Sequence, residues 1–341
     1  MQRPDTASSA LRGRRGWLIT DDKIGMIVQA RGVADALGLD YEWKSVSPQG
    51  VWRLMAPWGP VAPAEKFGAP GTPFAPPFPD VALATGRLAI PYLRALRKAS
   101  GVGTYCVVLQ DPRTSASIAD LICVPEHDRR RGPNVLTTLV PAHSFTEARL
   151  AKLRASTPAD IAALPSPRVA VILGGKSDAF KYTEADDDTF AASLATFARL
   201  GASFMITPSR RTHKRLLDCV GKATEGRPRI LWRGEGENPY PQFLAHADQL
   251  IVTGDSANMT GEACATGRPV YVFVPPTVSP KFARFHDALR RYGATRPLSP
   301  AMTSFETWSY APLDAAKEIA AEIERRWLRR QAMIPGLLQR A

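Results

Sequence analysis

The chain alternates short, wholly apolar runs with longer segments of helical periodicity, and it does so twice, with a proline-containing break between the two series. Runs such as 81–84, 105–109 and 121–124 carry Val, Ile, Leu, Ala and Cys without polar alternation, the pattern of a parallel strand covered on both faces by helices. Parallel neighbours can be joined only through a crossover of a dozen or more residues, so this alternation leaves few architectures open. Two successive series predict an α/β protein of two Rossmann-like, doubly wound domains facing a cleft, with ligands beyond the carboxyl ends of the strands.

After a polar leader, residues 1–15, a strand is expected at 17–20 and a helix at 24–37 that Gly38 closes. Helices follow at 88–99 and 146–155. The first, acceptor-side domain is expected to span 16–157, and a linker, 158–167, carries Pro158, Pro165 and Pro167. A nucleotide-binding domain over 168–312 should hold strands at 169–173, 204–207, 230–232, 250–253 and 270–274. Its helices are expected near 186–200, 214–222, 241–247 and 259–265. The segment 313–341 should begin with a helix, 313–330, that crosses back onto the first domain and ends in a basic tail. One stretch departs from the alternation. Eight of the thirty prolines lie between Pro57 and Pro79, interleaved with Trp58, Phe67, Phe74 and Phe78, in an irregular excursion over 51–79. It reads either as a loop packed on the first domain or as an acceptor-side or membrane-contacting surface.

Charge narrows the partners. The 44 Lys and Arg against 32 Asp and Glu leave a net charge of +12, which favours anionic ligands: nucleotides, phospholipid or nucleic acid. Nucleic acid is disfavoured because the basic residues are dispersed and no reader motif with interleaved aromatics is present. The basic run 325–330, which contains Trp327, suits an anionic lipid surface or a packed terminal helix with a solvated face. A protein partner remains open. The four Cys and five His are scattered without metal-ligand spacing, so neither a disulfide framework, a metal site nor a cofactor is expected. No apolar run reaches the ~18 residues of a membrane span, so a cytoplasmic location is expected, with peripheral attachment to the inner face of the membrane left open.

The most informative segment is 252–270, in which an apolar strand ends in Gly254 and a polar turn leads into a helix. There Asp255, Ser256, Met259, Thr260 and Glu262 surround a helix start whose N–H groups suit an anion, with Glu262 in the first turn able to accept from a ribose diol. A capped helix with Ser256 as N-cap accounts for the same pattern. Gly174, Gly175 and Ser177 at another strand end allow close approach to phosphate. Ser209, Arg210 and Arg211 offer guanidinium groups to a diphosphate. Glu237, Asn238 and Tyr240 can read a base or clamp a ribose, or form an Asn-Pro turn.

With Asp22-Lys-Ile-Gly25 and Gln29, Gly86-Arg87, Gln110-Asp-Pro-Arg113, Pro125-Glu-His-Asp128 and Asn134, these motifs resemble the mitochondrial-fission (elongated mitochondria) protein family over nearly the whole chain. That family is similar in turn to GT-B glycosyltransferases using UDP-N-acetylglucosamine. The resemblance implies a metal-independent transfer from a nucleotide sugar to an acceptor, which in those enzymes is lipid-linked. It places Glu262 on the donor ribose and Gly174, Gly175 and Ser177 by the diphosphate. The histidine usual after the first strand of such enzymes is missing here, so Glu126, His127 and Asp22 are the candidate bases. Lys23, Gln29, Arg87, Arg113 and Asn134 fall on the acceptor side. The plant relative, an adaptor in mitochondrial fission, implies the alternative of a non-catalytic nucleotide-binding scaffold at a membrane surface.

Overall fold

A computed structural model describes residues 9–177 and 180–338. The chain forms two units, one made of residues up to 144 together with those from 314 onward, the other of residues 145–313.

The first unit is built on β1 (Arg15–Thr20), β2 (Asp40–Ser45), β3 (Val81–Thr85), β4 (Tyr105–Leu109), β5 (Leu121–Pro125) and β6 (Val135–Thr138), with helices α1 (Ile24–Leu37), α2 (Gly50–Met55) and α3 (Ile90–Ser100). The strands are parallel in the order β2-β1-β3-β4-β5-β6, so the chain leaves β1 for one side and returns to the other. That reversal makes β1 and β3 the switch point, and their last residues, Thr20 and Thr85, are in register. On one face Leu18, Leu83 and Val107 pack with Val33 and Leu37 of α1. On the other, Trp17, Ile19 and Val108 pack with Tyr92, Leu93 and Leu96 of α3. Each such aliphatic side chain contributes about 1.5–3 kcal/mol on full burial.

The excursion divides into two parts. Phe67, Phe74 and Phe78 pack around the first core, with Trp17 and Phe74 edge-on at 5.8 Å and Phe74 and Tyr92 at 5.1 Å. By contrast α2 has no buried residue.

The second unit contains α4 (Glu147–Arg154), α5 (Ala159–Ala162), β7 (Arg168–Leu173), α6 (Glu184–Arg199), β8 (Ser203–Pro208), α7 (Lys214–Ala223), β9 (Arg229–Leu231), α8 (Tyr240–His246), β10 (Gln249–Thr253), α9 (Ala257–Cys264), β11 (Val270–Phe273), α10 (Pro280–Tyr292) and β12 (Thr295–Pro297). Its parallel sheet runs β12-β11-β10-β7-β8-β9, the dinucleotide-binding order, with the switch point between β7 and β10. Val169, Val171, Ile206 and Ile251 meet Phe190 and Phe197 of α6 and Leu216 of α7 in its core. A capping box of Thr183 and Asp186 starts α6.

The unit boundary lies ahead of the expected linker. α4 belongs with the second unit because its Leu150 is buried and Arg154 Nε donates to the Ala245 carbonyl at 2.9 Å. The last helix, α11 (Ala315–Leu338), belongs to the first unit: Ala316, Ile319, Ala320, Ile323 and Trp327 form one stripe packed against the α1 face. Trp327 is therefore core, not a lipid contact, and Arg325 and Arg326 pair with Glu322. Both β2 and β12 are edge strands with one neighbour each, which explains why neither carries an apolar run.

Candidate functional site

At the switch point of the second sheet the strands β7 and β10 are each followed directly by glycine, Gly174 and Gly254, and the buried carboxylate of Asp255 bonds to the loops there. It accepts from the Gly175 N–H at 3.0 Å, the Thr253 hydroxyl at 2.8 Å and the Tyr182 hydroxyl at 3.3 Å, and pairs with Arg211 at 2.7 Å. Thr253 Oγ1 in turn accepts from the Gly174 N–H at 2.6 Å. The packing admits no side chain: a Cβ at Gly174 would stand 2.0 Å from Asp255 Oδ1, and one at Gly175 1.8 Å from the Arg211 carbonyl oxygen. The Ser177 N–H donates to the Phe180 carbonyl at 3.0 Å. These glycines thus serve close internal packing, and their amides bond within the protein rather than facing a phosphate, because a buried N–H needs a partner. Behind them His286 Nε2 donates to the Gly254 carbonyl at 2.7 Å, and burial moves its pKa down to about 4, so the ring is neutral at pH 7.

The paired arginines separate. Arg211 belongs to the Asp255 cluster, while Arg210 is exposed and makes no ion pair among the described residues. The same holds for Lys176, on the loop leaving β7, which the sequence reading passed over between Gly175 and Ser177. Ser209 is half-buried, and its hydroxyl accepts from the Arg211 N–H at 3.2 Å.

Ser256 caps α9, accepting from the Met259 N–H at 3.3 Å. The helix begins at Ala257, so Glu262 sits in its second turn, not the first, and is 6 % exposed. Thr260 is buried and its hydroxyl donates to the Ser256 carbonyl at 3.0 Å, which removes it from a ligand-facing role; Met259 is half-exposed. The Glu262 carboxylate accepts a hydrogen bond from the Tyr240 hydroxyl. Burial raises its pKa from 4.5 to about 7, against the opposing effects of Tyr240 and the Arg149 charge. Tyr240 packs edge-on against Phe145 at 5.8 Å, and the Arg149 guanidinium lies 4.5 Å over that ring. Asn238 accepts from the Tyr240 N–H at 3.0 Å in the Asn-Pro turn just ahead of α8, while Glu237 is exposed.

This buried carboxylate has a measurable signature. Between about pH 4.5 and 7 the folded state holds a proton that the unfolded state has lost, so stability falls as pH rises through that window. The shift corresponds to on the order of 3 kcal/mol. Glu262→Gln should remove that part of the slope when urea unfolding is compared at pH 5 and pH 8. Parallel slopes for the two proteins would show that the carboxylate does not titrate there.

In the first unit the sequence pointed to Asp22, but Asp21 holds the protected position. The Asp21 side chain is 4 % exposed, one oxygen is bound by the Lys23 ammonium, and Oδ1 has no hydrogen-bond partner among the described residues. Thr20 and Thr85, buried and in register at the switch point, have unpartnered hydroxyls as well. Gly86 completes this end, where a Cβ would stand 3.4 Å from Asp21 Oδ1. Buried polar atoms without partners are rare in folded proteins and point to a ligand or a functional role. Asp22 takes a left-handed conformation, φ 61°, which turns it outward to accept from the Ser45 hydroxyl; the N-cap of α1 is Lys23, without a side-chain cap bond.

The remaining candidates scatter. Gln29 is buried and accepts from Gln110 Nε2 at 3.3 Å. Asn134 donates to the Ala116 and Ala119 carbonyls at 2.9 and 3.0 Å, and Arg87 to the Ala56 carbonyl at 2.5 Å, so both brace loops instead of facing an acceptor. Arg113 is exposed. His127 is buried and Glu126 exposed in a turn whose carbonyls, Glu126 and Asp128, accept from Arg131; Arg130 pairs with Asp111 at 2.6 Å. Among the described residues no group of three or more His, Cys, Asp or Glu could hold a metal ion.

Residues 24–327 match the family profile Mitochondrial fission ELM1. Mitochondrial fission protein ELM1 of Arabidopsis thaliana is 29 % identical over 271 residues, 72 % of this chain and 64 % of that protein. Protein RP120 of Rickettsia prowazekii (strain Madrid E) is 32 % identical over 160 residues, 46 % of this chain and 45 % of the relative. The aligned regions thus span less than two thirds of either relative. Among solved structures, UDP-GlcNAc 2-epimerase from Methanocaldococcus jannaschii has a TM-score of 0.51 at 11 % identity, covering 91 % of this chain and 99 % of its own. Spinosyn forosaminyltransferase SpnP has a TM-score of 0.53 at 12 % identity, covering 96 % and 99 %. At such identities the likeness is one of fold, and the fold is of the GT-B type shared by glycosyltransferases and epimerases.

Proposed function

The chain belongs to the mitochondrial fission ELM1 family, and from that premise we propose that its second unit binds a nucleoside diphosphate sugar and that the sugar passes to a hydroxyl acceptor. The observation that carries this reading is Glu262, a buried carboxylate with a pKa raised to about 7 at the switch-point end of a dinucleotide-ordered sheet. In its ionised form it accepts from ribose hydroxyls beside Tyr240. Arg210, Lys176 and the positive end of α9 neutralise the diphosphate as negative charge develops on the leaving group. Support for the nucleotide class comes from fold relatives: the Methanocaldococcus jannaschii epimerase was solved with UDP-GlcNAc and UDP, and S. aureus MnaA with UDP. On the acceptor side Asp21 replaces the candidates expected from sequence, since its shielded, unpartnered oxygen suits a general base.

A thermal-shift panel of nucleoside diphosphates and nucleotide sugars tests the premise. A specific site gives about 2.7 kcal/mol of stabilisation at one hundred times the dissociation constant. No response to any nucleotide would end the reading. Arg210→Ala is expected to weaken UDP binding about tenfold while leaving uridine and the melting temperature unchanged, because it deletes a charge-assisted phosphate contact and no internal bond. Arg211→Ala is the wrong probe, since it also breaks the Asp255 cluster.

The relative from Arabidopsis thaliana carries the name of a fission protein rather than of an enzyme, which favours a second reading, a nucleotide-binding scaffold. Tight binding of a nucleotide sugar with no release of nucleoside diphosphate, even with membrane extract offered as acceptor, selects that reading.

A further inference from the structure

Residues 45–64 contain one ionisable side chain, Arg53. Within that stretch α2 exposes Val51 by 56 %, Leu54 by 76 % and Met55 by 37 %, and Trp58 just beyond it is 65 % exposed. At 100° per residue Val51, Leu54 and Met55 share one side of the helix. The segment is held firmly. Arg94 donates to the carbonyls of Pro57 at 2.6 Å and Trp58 at 2.7 Å, Arg87 to that of Ala56, and the Trp58 indole N–H to the Arg113 carbonyl at 3.2 Å. Met55 lies against Gly59, where a Cβ would stand 2.6 Å from Met55 Cβ. Two guanidinium groups therefore fix a short stretch of backbone whose large apolar side chains face outward, the mark of an interaction surface.

Carboxylates near that patch are already paired, Asp111 with Arg130 at 2.6 Å and Asp120 with Arg97 at 2.9 Å. A groove of about 540 Å³ opens next to Trp58, and Lys98, Ser115 and Ser117 line it without any acidic residue. Arg53, Lys98 and Arg113 are exposed and make no ion pair among the described residues. We propose that this face docks on an anionic lipid bilayer. Leu54, Met55 and Trp58 enter the boundary between headgroups and acyl chains, where an indole is favoured. Arg53, Lys98 and Arg113 meet lipid phosphates. The groove takes one headgroup between Lys98 and the two serines. A six-residue helix whose one charge is Arg53, beside further cations without ion pairs among the described residues, suits the lipid interface, whereas a protein groove selects its helices by several turns of anchors. No helix of the described residues is long and apolar enough to cross the membrane, so the attachment is peripheral.

The test is flotation of the full chain with vesicles of phosphatidylcholine alone and of phosphatidylcholine with phosphatidylserine. Binding to the anionic vesicles is expected to exceed binding to the neutral ones about tenfold and to weaken with salt. Leu54→Ser combined with Trp58→Ser should lower it about tenfold with the fold retained, since both side chains are exposed and the Trp58 indole contributes a single surface hydrogen bond. Arg53→Glu combined with Lys98→Glu, which leaves the apolar side chains in place, should lower it as much. Three results overturn the proposal: wild-type protein that stays with the unbound fraction, double variants that float as wild type does, or a wild-type dimer in sedimentation that the Leu54 and Trp58 variant dissociates, which would assign the patch to a second copy of this chain.

Discussion

Asp255→Ala should destabilise the protein by about 3–5 kcal/mol, the loss that follows when one member of a buried, hydrogen-bonded charge cluster is removed. The carboxylate accepts from the Gly175 amide and from two hydroxyls and pairs with Arg211, so its removal orphans groups contributed by four separate segments. Its effect should be local as well as global. Amide hydrogen exchange at Gly175 is expected to accelerate strongly, and at Thr212, whose hydroxyl bonds the Gly174 carbonyl at 2.6 Å, to a lesser degree. Asp255→Asn, which keeps an acceptor for the amide, should lose less than half as much. Urea unfolding measures the free energies, and a loss below about 1 kcal/mol for the alanine variant would mean that the cluster does not hold the strand ends together.

Asp21→Asn should lower turnover of a nucleotide sugar about a hundredfold and leave its dissociation constant unchanged. Proton removal from the acceptor occurs only in the transition state, whereas donor binding is proposed to lie wholly in the other unit. The substitution keeps shape and burial, so the fold should survive it. Asp22→Asn is the internal comparison: its carboxylate faces outward and bonds only Ser45 among the described residues, and turnover should stay within about twofold. Equal losses for both variants, or none for Asp21→Asn, would remove Asp21 from the chemistry. The measured quantity is nucleoside diphosphate released in the presence of acceptor.

Much of the site was legible, but not the direction in which its members face. Ser256 as an N-cap is a local pattern, and the cap is where the sequence puts it. Counting from that cap places Glu262 in the second turn, beneath Tyr240, a position the sequence reading missed by starting the helix at Met259. Trp327 carried a legible signal too: its spacing from Ala316, Ile319, Ala320 and Ile323 is that of a buried stripe, and of the two readings of that basic run the packed terminal helix is the one the structure has. Asn134 and Arg87 were beyond sequence reasoning, since the carbonyls that take their donors lie fifteen or more residues away.

The α/β class and the two series of strands and helices were determined by the sequence alone, because unbroken apolar runs, the helical period of 3.6 and the glycine stops act over a few neighbouring residues. Tertiary structure decided between adjacent residues of the same kind. Asp21 is shielded and Asp22 exposed because one left-handed dihedral at Asp22 follows the end of β1. Arg211 is committed to Asp255 while Arg210 makes no ion pair among the described residues, because the partner comes from the turn after β10, more than forty residues further on. Such choices rest on contacts between distant segments, which no local pattern of residue types encodes.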